Sequence, residues 1–101
     1  MSASDAAPGR NALDPLSRQI AIVNELGLHA RSAAKIAEIA QKAAAPVWIE
    51  RDGETVDARS IIDMLTLACA RDSIIAVRVE DEADLPVLEE IVALVTDGFG
   101  E

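Results

Sequence analysis

The spacing of apolar and polar residues predicts seven secondary-structure elements between Leu16 and the end of the chain. Apolar, often β-branched positions two residues apart indicate strands, and apolar positions three and four residues apart indicate amphipathic helices. The predicted strands cover residues 18–23, 47–51, 54–58 and 73–80, and the predicted helices are 30–44, a short one after Ser60, and one from Leu85 up to Gly98. The predicted order is therefore βαββαβα.

The first predicted helix has the clearest periodicity. Its apolar positions are 33, 36, 37, 40 and 44, and charged residues occupy the opposite face. Pro46 is expected to end this helix. Asp52-Gly53 lies between two β-rich runs and is a two-residue turn signal, so these runs are expected to form a hairpin.

The two later helices have recognisable start signals. Ser60 is expected to cap the second helix, whose apolar positions are Ile61, Ile62, Leu65 and Ala68. Leu65 is expected in the core. Asp84 is expected to cap the third helix, where Pro86 is tolerated in the first turn. The apolar stripe of that helix is predicted to consist of Leu85, Leu88, Ile91, Val92 and Val95.

Four short strands and three one-sided helices predict an α+β fold. They pack most simply as an open-faced two-layer sandwich, a four-stranded antiparallel sheet covered on one face by three helices. Residues 1–15 lack periodicity and are rich in Ala, Ser, Pro and Gly, which predicts a flexible N-terminal extension. Residues 16–101 are expected to form one domain.

Composition excludes several classes of function. Eighteen acidic residues against nine basic ones give a net charge of −9, which opposes binding to nucleic acid. No apolar run approaches the ~20 residues needed to cross a bilayer, and no signal-like segment begins the chain, so we expect a cytoplasmic monomer without direct membrane insertion. Cys69, the only cysteine, cannot form an internal disulfide and is expected in the core.

The sole histidine, His29, falls where the first predicted helix begins. Helix N-termini favour anions, because the first N–H groups lack intrahelical acceptors and the peptide dipoles add up there. A neutral imidazole has a nucleophilic nitrogen near neutral pH, so His29 could carry a phosphoryl group covalently. Arg31 could hold the phosphate oxygens, and Lys35 would add weaker positive potential.

Other interpretations of His29 remain open on physical grounds alone. A lone histidine near a helix end is more often a capping or exposed polar residue. One His and one Cys 40 residues apart fall short of the three or four clustered ligands of a zinc site, so neither a metal nor a cofactor is predicted. Ser32 lies near His29, but a hydrolase would also need a third partner and an oxyanion pocket.

The segment Asn24-Glu25-Leu26-Gly27-Leu28-His29-Ala30-Arg31-Ser32-Ala33-Ala34 resembles the active-site segment of HPr-like phosphocarriers of the bacterial phosphoenolpyruvate-dependent phosphotransferase system. The resemblance continues at Gly53, over residues 56–62 and at the ending 98–101. It implies an open-faced βαββαβα sandwich. It also implies that the δ (pros) nitrogen of His29 is phosphorylated, beside Arg31, and that the chain amides of Ala30 and Arg31 hold the phosphate.

The same resemblance implies a stoichiometric carrier rather than an enzyme. The phosphoryl donor would resemble enzyme I, and the acceptors would resemble enzyme IIA proteins of a sugar or nitrogen-regulatory branch. The Gly98-Phe99 ending and the acidic last helix favour the nitrogen-regulatory branch. Ala34, Ile61 and Ile62 could form the apolar docking patch for these partners.

Ser60 matches the serine that a dedicated HPr kinase phosphorylates in many members of the family. Added negative charge there weakens docking to the donor. Asp63 stands where many members have Gly, and its like charge disfavours such a modification. Ser32 stands where many members have Pro, so the backbone of the first helical turn is expected to be less constrained in advance.

A function of a different class also fits the sequence. A regulatory binding module could keep this fold, and even the phosphohistidine, while controlling a partner protein instead of feeding sugar transport. Such a module would be phosphorylated without passing the group to a sugar-specific acceptor.

Overall fold

The computed structural model describes residues 14–101 of the chain. Its strands are β1 (Ser17–Ala21), β2 (Val47–Arg51), β3 (Glu54–Asp57) and β4 (Ile74–Val79), and its helices are α1 (Ala30–Ala40), α2 (Ile61–Thr66) and α3 (Leu85–Thr96). Short 3₁₀ turns cover Glu82–Asp84 and Gly98–Gly100. The predicted βαββαβα order is confirmed. Residues 1–13 lie outside the described part, so the flexible extension at 1–15 stays a prediction.

All strand pairs are antiparallel, and the sheet order is β1-β4-β2-β3. Central β4 pairs with both β1 and β2, for example Ile20 with Ile75 and Ile49 with Val77. The three helices cover one face, as the α+β sandwich prediction requires. The core lies between the two layers, and its largest fully buried side chains are Phe99, Ile22, Ile36, Ile49, Met64, Ile75, Leu88 and Ile91.

Helix α1 is four residues shorter than its periodicity predicts. It ends at Ala40, with Gln41 as the C-cap, so Ala44 is exposed rather than buried and Pro46 does not end the helix. The backbone N–H groups of Ala44 and Ala45 instead donate to the carboxylate of Asp84, at 2.9 and 3.0 Å. These long-range hydrogen bonds replace the helical ones that a continued α1 would make.

Asp84 occupies the N-cap position of α3, as predicted, but it does not act as a side-chain cap. Its buried carboxylate accepts hydrogen bonds from the backbone of the loop before β2, and it makes no cap hydrogen bond to α3. Asp81 caps the preceding 3₁₀ turn instead, by accepting from the N–H of Ala83 at 2.9 Å. Pro86 lies in the first turn of α3, as predicted.

Helix α2 begins as predicted, but the residues that it buries differ from those predicted. The hydroxyl of Ser60 accepts from the N–H of Asp63 at 3.1 Å, which confirms the cap. Met64 and Leu67 are the buried residues, whereas Leu65 is 38% exposed, so the prediction that Leu65 is core is wrong. Because α2 has only six residues, it can bury one narrow side, and the unbranched Met64 fills it.

Two further sequence predictions are confirmed. Strands β2 and β3 form a hairpin through Asp52-Gly53, both with positive φ, as in a type I′ turn. Cys69 is a buried free thiol, and burial raises its pKa. Within residues 14–101, none of the helices is both long and apolar enough to cross a bilayer.

Candidate functional site

The loop that leads into α1 is held in place by Gly27. This residue has φ +69°, and a Cβ added there would lie 2.4 Å from the carbonyl oxygen of Cys69. The next N–H, that of Leu28, donates to the same oxygen at 2.8 Å. Only glycine combines this left-handed conformation with so close an approach. The loop therefore places His29 at a fixed position at the start of α1.

His29 is the N-cap residue of α1. Its Nδ1 accepts from the N–H of Arg31 at 3.3 Å, and its own N–H donates to the hydroxyl of Ser32 at 2.9 Å. This reciprocal arrangement is a capping box, built with His and Ser. Ser32 is fully buried and its hydroxyl also lies 3.2 Å from the carbonyl oxygen of Gly27. Ser32 therefore supports this turn through the hydrogen bonds of its side chain.

The other ring nitrogen of His29 contacts a residue 72 positions away. Nε2 lies 2.6 Å from Oε2 of Glu101. The second carboxylate oxygen, Oε1, accepts from the amide of Asn24 at 3.0 Å. The hydrogen bond from Asn24, and then the one from His29, lower the pKa of Glu101. Glu101 is thus an ionised acceptor held on the edge of the imidazole ring.

These contacts assign the tautomer of His29. Nδ1 accepts a backbone N–H and Nε2 faces a carboxylate, so the neutral ring carries its proton on Nε2. Nδ1 then has a lone pair and no proton. It points toward the N-terminus of α1, where backbone N–H groups favour an anion.

The turn that carries Glu101 is anchored from two sides. Phe99 is fully buried and has φ +61°, an uncommon conformation for an aromatic residue. Lys35 of α1 donates from Nζ to the carbonyl oxygen of Phe99 at 2.6 Å. Lys35 is therefore placed to hold the turn, a role that differs from the added positive potential expected from the sequence.

Arg31 and Ala30 occupy the exposed first turn of α1. The guanidinium of Arg31 is close enough to Glu101 to contribute to its lowered pKa, after the two hydrogen bonds. His29, Ala30 and Arg31 thus lie side by side at the N-terminus of α1, and their role in holding a phosphoryl group stays a prediction. The part of the chain from 14 to 101 holds no group of three His, Cys, Asp or Glu side chains arranged for a metal ion.

The residues proposed for docking all lie on the surface of adjacent helices. Ala34 of α1 is exposed, and on α2 Ile61 and Ile62 are 37% and 74% exposed. Leu65, which the sequence assigned to the core, adds to this apolar surface. Ser60, at the start of α2, is half-buried and uses its hydroxyl as a cap acceptor.

Sequence reasoning missed Asn24 and Glu101 as functional residues. Both lie in segments that it singled out, yet it gave neither a chemical role, because their meeting depends on the tertiary fold. They also line a cleft of about 460 Å³, together with Arg71. Spacing along the chain contains no signal for a contact across 77 residues.

Comparison with known proteins matches residues 16–97 to the family model described as the PTS HPr component phosphorylation site. The phosphocarrier protein HPr of Cupriavidus necator is 34% identical over 86 residues, covering 85% of this chain and 97% of that protein. The phosphocarrier protein NPr of Klebsiella oxytoca is 33% identical over 87 residues, with coverage of 85% and 97%. A crystal structure of HPr-C-His from Thermoanaerobacter tengcongensis aligns with a TM-score of 0.79 and 30% identity, covering 84% of this chain and 96% of that one.

Proposed function

Because the chain belongs to the HPr family of phosphocarriers of the phosphotransferase system, we propose that His29 accepts a phosphoryl group on Nδ1 and passes it on to another protein. The donor is an enzyme I-like protein and the acceptors are enzyme IIA-like proteins. The observation that supports this assignment is the 2.6 Å contact between Nε2 and Glu101, which leaves Nδ1 as the unprotonated nitrogen.

The transfer begins with the release of the Arg31 N–H from Nδ1. The lone pair of Nδ1 attacks phosphorus while the bond between phosphorus and the donor atom breaks, and the electron pair of that bond returns to the donor. The Nε2 proton stays shared with Glu101, which stabilises the positive charge that develops on the ring. On onward transfer the imidazole leaves as a neutral group, because that proton is still present.

The N-terminus of α1 supplies the phosphate site. The amides of Ala30 and Arg31 lie at the positive end of the helix dipole, and the amide of Arg31 contacts the lone pair of Nδ1. The exposed guanidinium of Arg31 can turn to hold the phosphate oxygens in a bidentate manner. No cofactor is needed for this transfer.

Docking partners would cover the exposed apolar side chains next to the site. Ala34, Ile61, Ile62 and Leu65 form this docking patch on α1 and α2. The chain's charge of −9 favours recognition of a protein-borne phosphoryl group over a free, anionic metabolite. We expect the carrier to work as a cytoplasmic monomer, in either a sugar or a nitrogen-regulatory branch.

Phosphorylation of Ser60 remains a separate prediction. The hydroxyl caps α2, and Asp63 in its first turn places a negative charge close by. Incubation with an HPr kinase and ATP tests it, with Ser60→Ala as the control. Incorporation that is unchanged in that variant would place the modification elsewhere.

The test of the proposed function is phosphorylation by radiolabelled phosphoenolpyruvate and the cognate enzyme I. We expect acid-labile, alkali-stable label that maps to His29 and is absent from His29→Ala. In Arg31→Ala the label is expected to appear about 10- to 100-fold more slowly, since charge-assisted hydrogen bonds are worth roughly 1.5–3 kcal/mol. Undiminished labelling of His29→Ala would refute the site.

The next step distinguishes the carrier from a regulatory module of the same fold. Labelled protein is mixed with the enzyme IIA proteins of the sugar and nitrogen-regulatory branches in turn. Loss of label from His29 and its gain by one acceptor identifies the branch. A phosphoprotein that transfers to neither, or a chain that enzyme I does not label at all, would favour the regulatory module.

A further inference from the structure

Asn24 is a buried amide at the centre of the hydrogen bonds that surround His29. It is 6% exposed, and its Nδ2 donates to the carbonyl oxygen of Gly27 at 2.8 Å and to Oε1 of Glu101 at 3.0 Å. An amide nitrogen has two protons, and each has an oxygen acceptor here. A flipped amide would place Oδ1 against both oxygens, so the orientation of the group is fixed.

This orientation leaves the other end of the amide unsatisfied. Oδ1 of Asn24 is the buried side-chain atom that has no hydrogen-bond partner among the described residues. A buried acceptor without a partner is unfavourable, and such atoms are uncommon in folded proteins. The NH₂ group therefore points at Gly27 and Glu101 although this leaves Oδ1 unpaired.

We propose that Asn24 is a positioning residue that acts through Glu101: its amide holds the Glu101 carboxylate on Nε2 of His29, and this selects Nδ1 as the nitrogen that takes the phosphoryl group. The proposal rests on the proposed function, and it assigns a residue that controls which nitrogen of His29 reacts. Asn24 itself does not touch the reacting atoms.

The relative lengths of the contacts show why Glu101 decides the tautomer. The N–H of Arg31 lies 3.3 Å from Nδ1, a long hydrogen bond, whereas Glu101 lies 2.6 Å from Nε2 and carries a charge. Removing the carboxylate leaves only the weaker contact to keep the proton on Nε2. The preference for the Nε2–H tautomer then becomes smaller, and the population of the Nδ1–H tautomer rises.

Asn24 is required because Glu101 has another cation nearby. The Arg31 guanidinium contributes to the lowered pKa of Glu101. Gly100, directly before Glu101, adds backbone freedom. Without the Asn24 amide, the carboxylate can leave Nε2 for the guanidinium of Arg31. The amide thus favours one carboxylate position over alternatives that are electrostatically attractive.

The experiment is a double-mutant cycle read by NMR on protein labelled with ¹⁵N at histidine. The unphosphorylated wild type, Asn24→Ala, Glu101→Ala and the double variant are compared at a pH where the ring is neutral. We expect the Nδ1–H tautomer to rise roughly tenfold or more in each single variant, the size expected for one lost charge-assisted hydrogen bond. The double variant is expected to equal Glu101→Ala. Phosphorylation should then appear partly on Nε2.

Two controls separate positioning from loss of structure. Glu25→Gln removes one negative charge from an exposed residue of the same cleft, and it is expected to leave the tautomer unchanged. Urea unfolding and amide spectra report whether each variant is folded. If Asn24→Ala is folded and keeps the wild-type tautomer, or if its effect persists in the Glu101→Ala background, the proposal is overturned. The tautomer measurement needs no donor, so a chain that fails to accept phosphate would refute the proposed function alone.

Discussion

The ammonium of Lys35 lies 2.6 Å from the carbonyl oxygen of Phe99, across 64 residues of sequence. This hydrogen bond holds the last turn of the described chain against the middle of α1. Because Glu101 lies two residues after Phe99, the position of its carboxylate on His29 depends on the same hydrogen bond.

Lys35→Met is therefore expected to slow phosphoryl acceptance by His29 about 2- to 10-fold, since a hydrogen bond of this kind contributes roughly 0.5–1.5 kcal/mol. Amide exchange at Gly98–Glu101 should accelerate in parallel. Lys42→Met is the matched control: it removes the same charge, from an exposed pair with Glu90. Equal slowing in both variants would mean that Lys35 acts through its positive potential.

Gly27→Ala is expected to destabilise the fold more than Gly53→Ala does. Both glycines have positive φ, but an added Cβ meets the Cys69 carbonyl at 2.4 Å in the first case and nothing within 4 Å in the second. The left-handed conformation alone costs roughly 1–2 kcal/mol, and the clash should add about 2 kcal/mol at Gly27. Urea unfolding measures both. Equal losses would contradict the close approach of this loop to Cys69.

The stabilising effect of Glu101 is expected to depend on pH. Its pKa in the folded chain is lowered from the ordinary value of 4.5 by the hydrogen bonds from Asn24 and His29. The unfolded chain therefore binds more protons in the acidic range, so the stabilisation is complete above the unfolded pKa and is lost as the pH falls through the folded pKa.

The measurement is the difference in urea midpoint between wild type and Glu101→Gln at several pH values. We expect the difference to shrink as the pH falls below about 4.5, the unfolded value. A difference that grows on acidification would show that Glu101 is not held as an anion in the fold. Coulombic attraction to His29, and then to Arg31, also lowers the pKa of Glu101, and Arg31 stays protonated throughout this range.

Ile62→Ser is expected to weaken binding of the phosphoryl donor without loss of stability. Ile62 is 74% exposed on α2, within the docking patch. If it is buried in the complex, its replacement should raise the KM for the carrier by at least about fivefold. Ile74→Ser is the control, because it makes the same substitution at a residue that is 55% exposed on β4, outside the docking patch. A similar effect from both variants would argue against a localised patch.

Asp84→Ala is expected to lower the free energy of unfolding by about 1–3 kcal/mol, because it removes the acceptor for the N–H groups of Ala44 and Ala45. Asp84→Asn keeps one acceptor oxygen and should lose about half as much. Asp81→Ala, which removes an exposed cap, is expected to cost about 0.5–1 kcal/mol. Thermal or urea unfolding ranks the three variants, and an Asp84→Ala loss no larger than that of Asp81→Ala would contradict the buried role.

The sequence predicts the elements well because their signals are local. The β4 residues Ile75, Val77 and Val79 all face the core, as their spacing indicates, and the Asp52-Gly53 turn joins β2 to β3. The position of His29 at the start of α1 is also a local property, since strand, turn and helix signals follow one another there.

The errors concern residues whose partners are distant in sequence. Periodicity predicts that α1 extends to Ala44, but the backbone N–H of Ala44 donates instead to Asp84, 40 residues further along. Leu65 has helical spacing suited to a core position, yet a six-residue helix packs through Met64 instead. Glu101 lies in a recognised ending, but only the tertiary fold shows that its carboxylate contacts the imidazole.

The 72-residue separation between His29 and Glu101 has a consequence for how the protein is made. A growing or shortened chain can contain the whole recognisable segment around His29 and still lack the carboxylate that sets its proton. The ring can take its reactive form only after a further 72 residues have been synthesised beyond His29. A fragment that lacks Glu101 would retain the signature of a carrier without this control over its histidine.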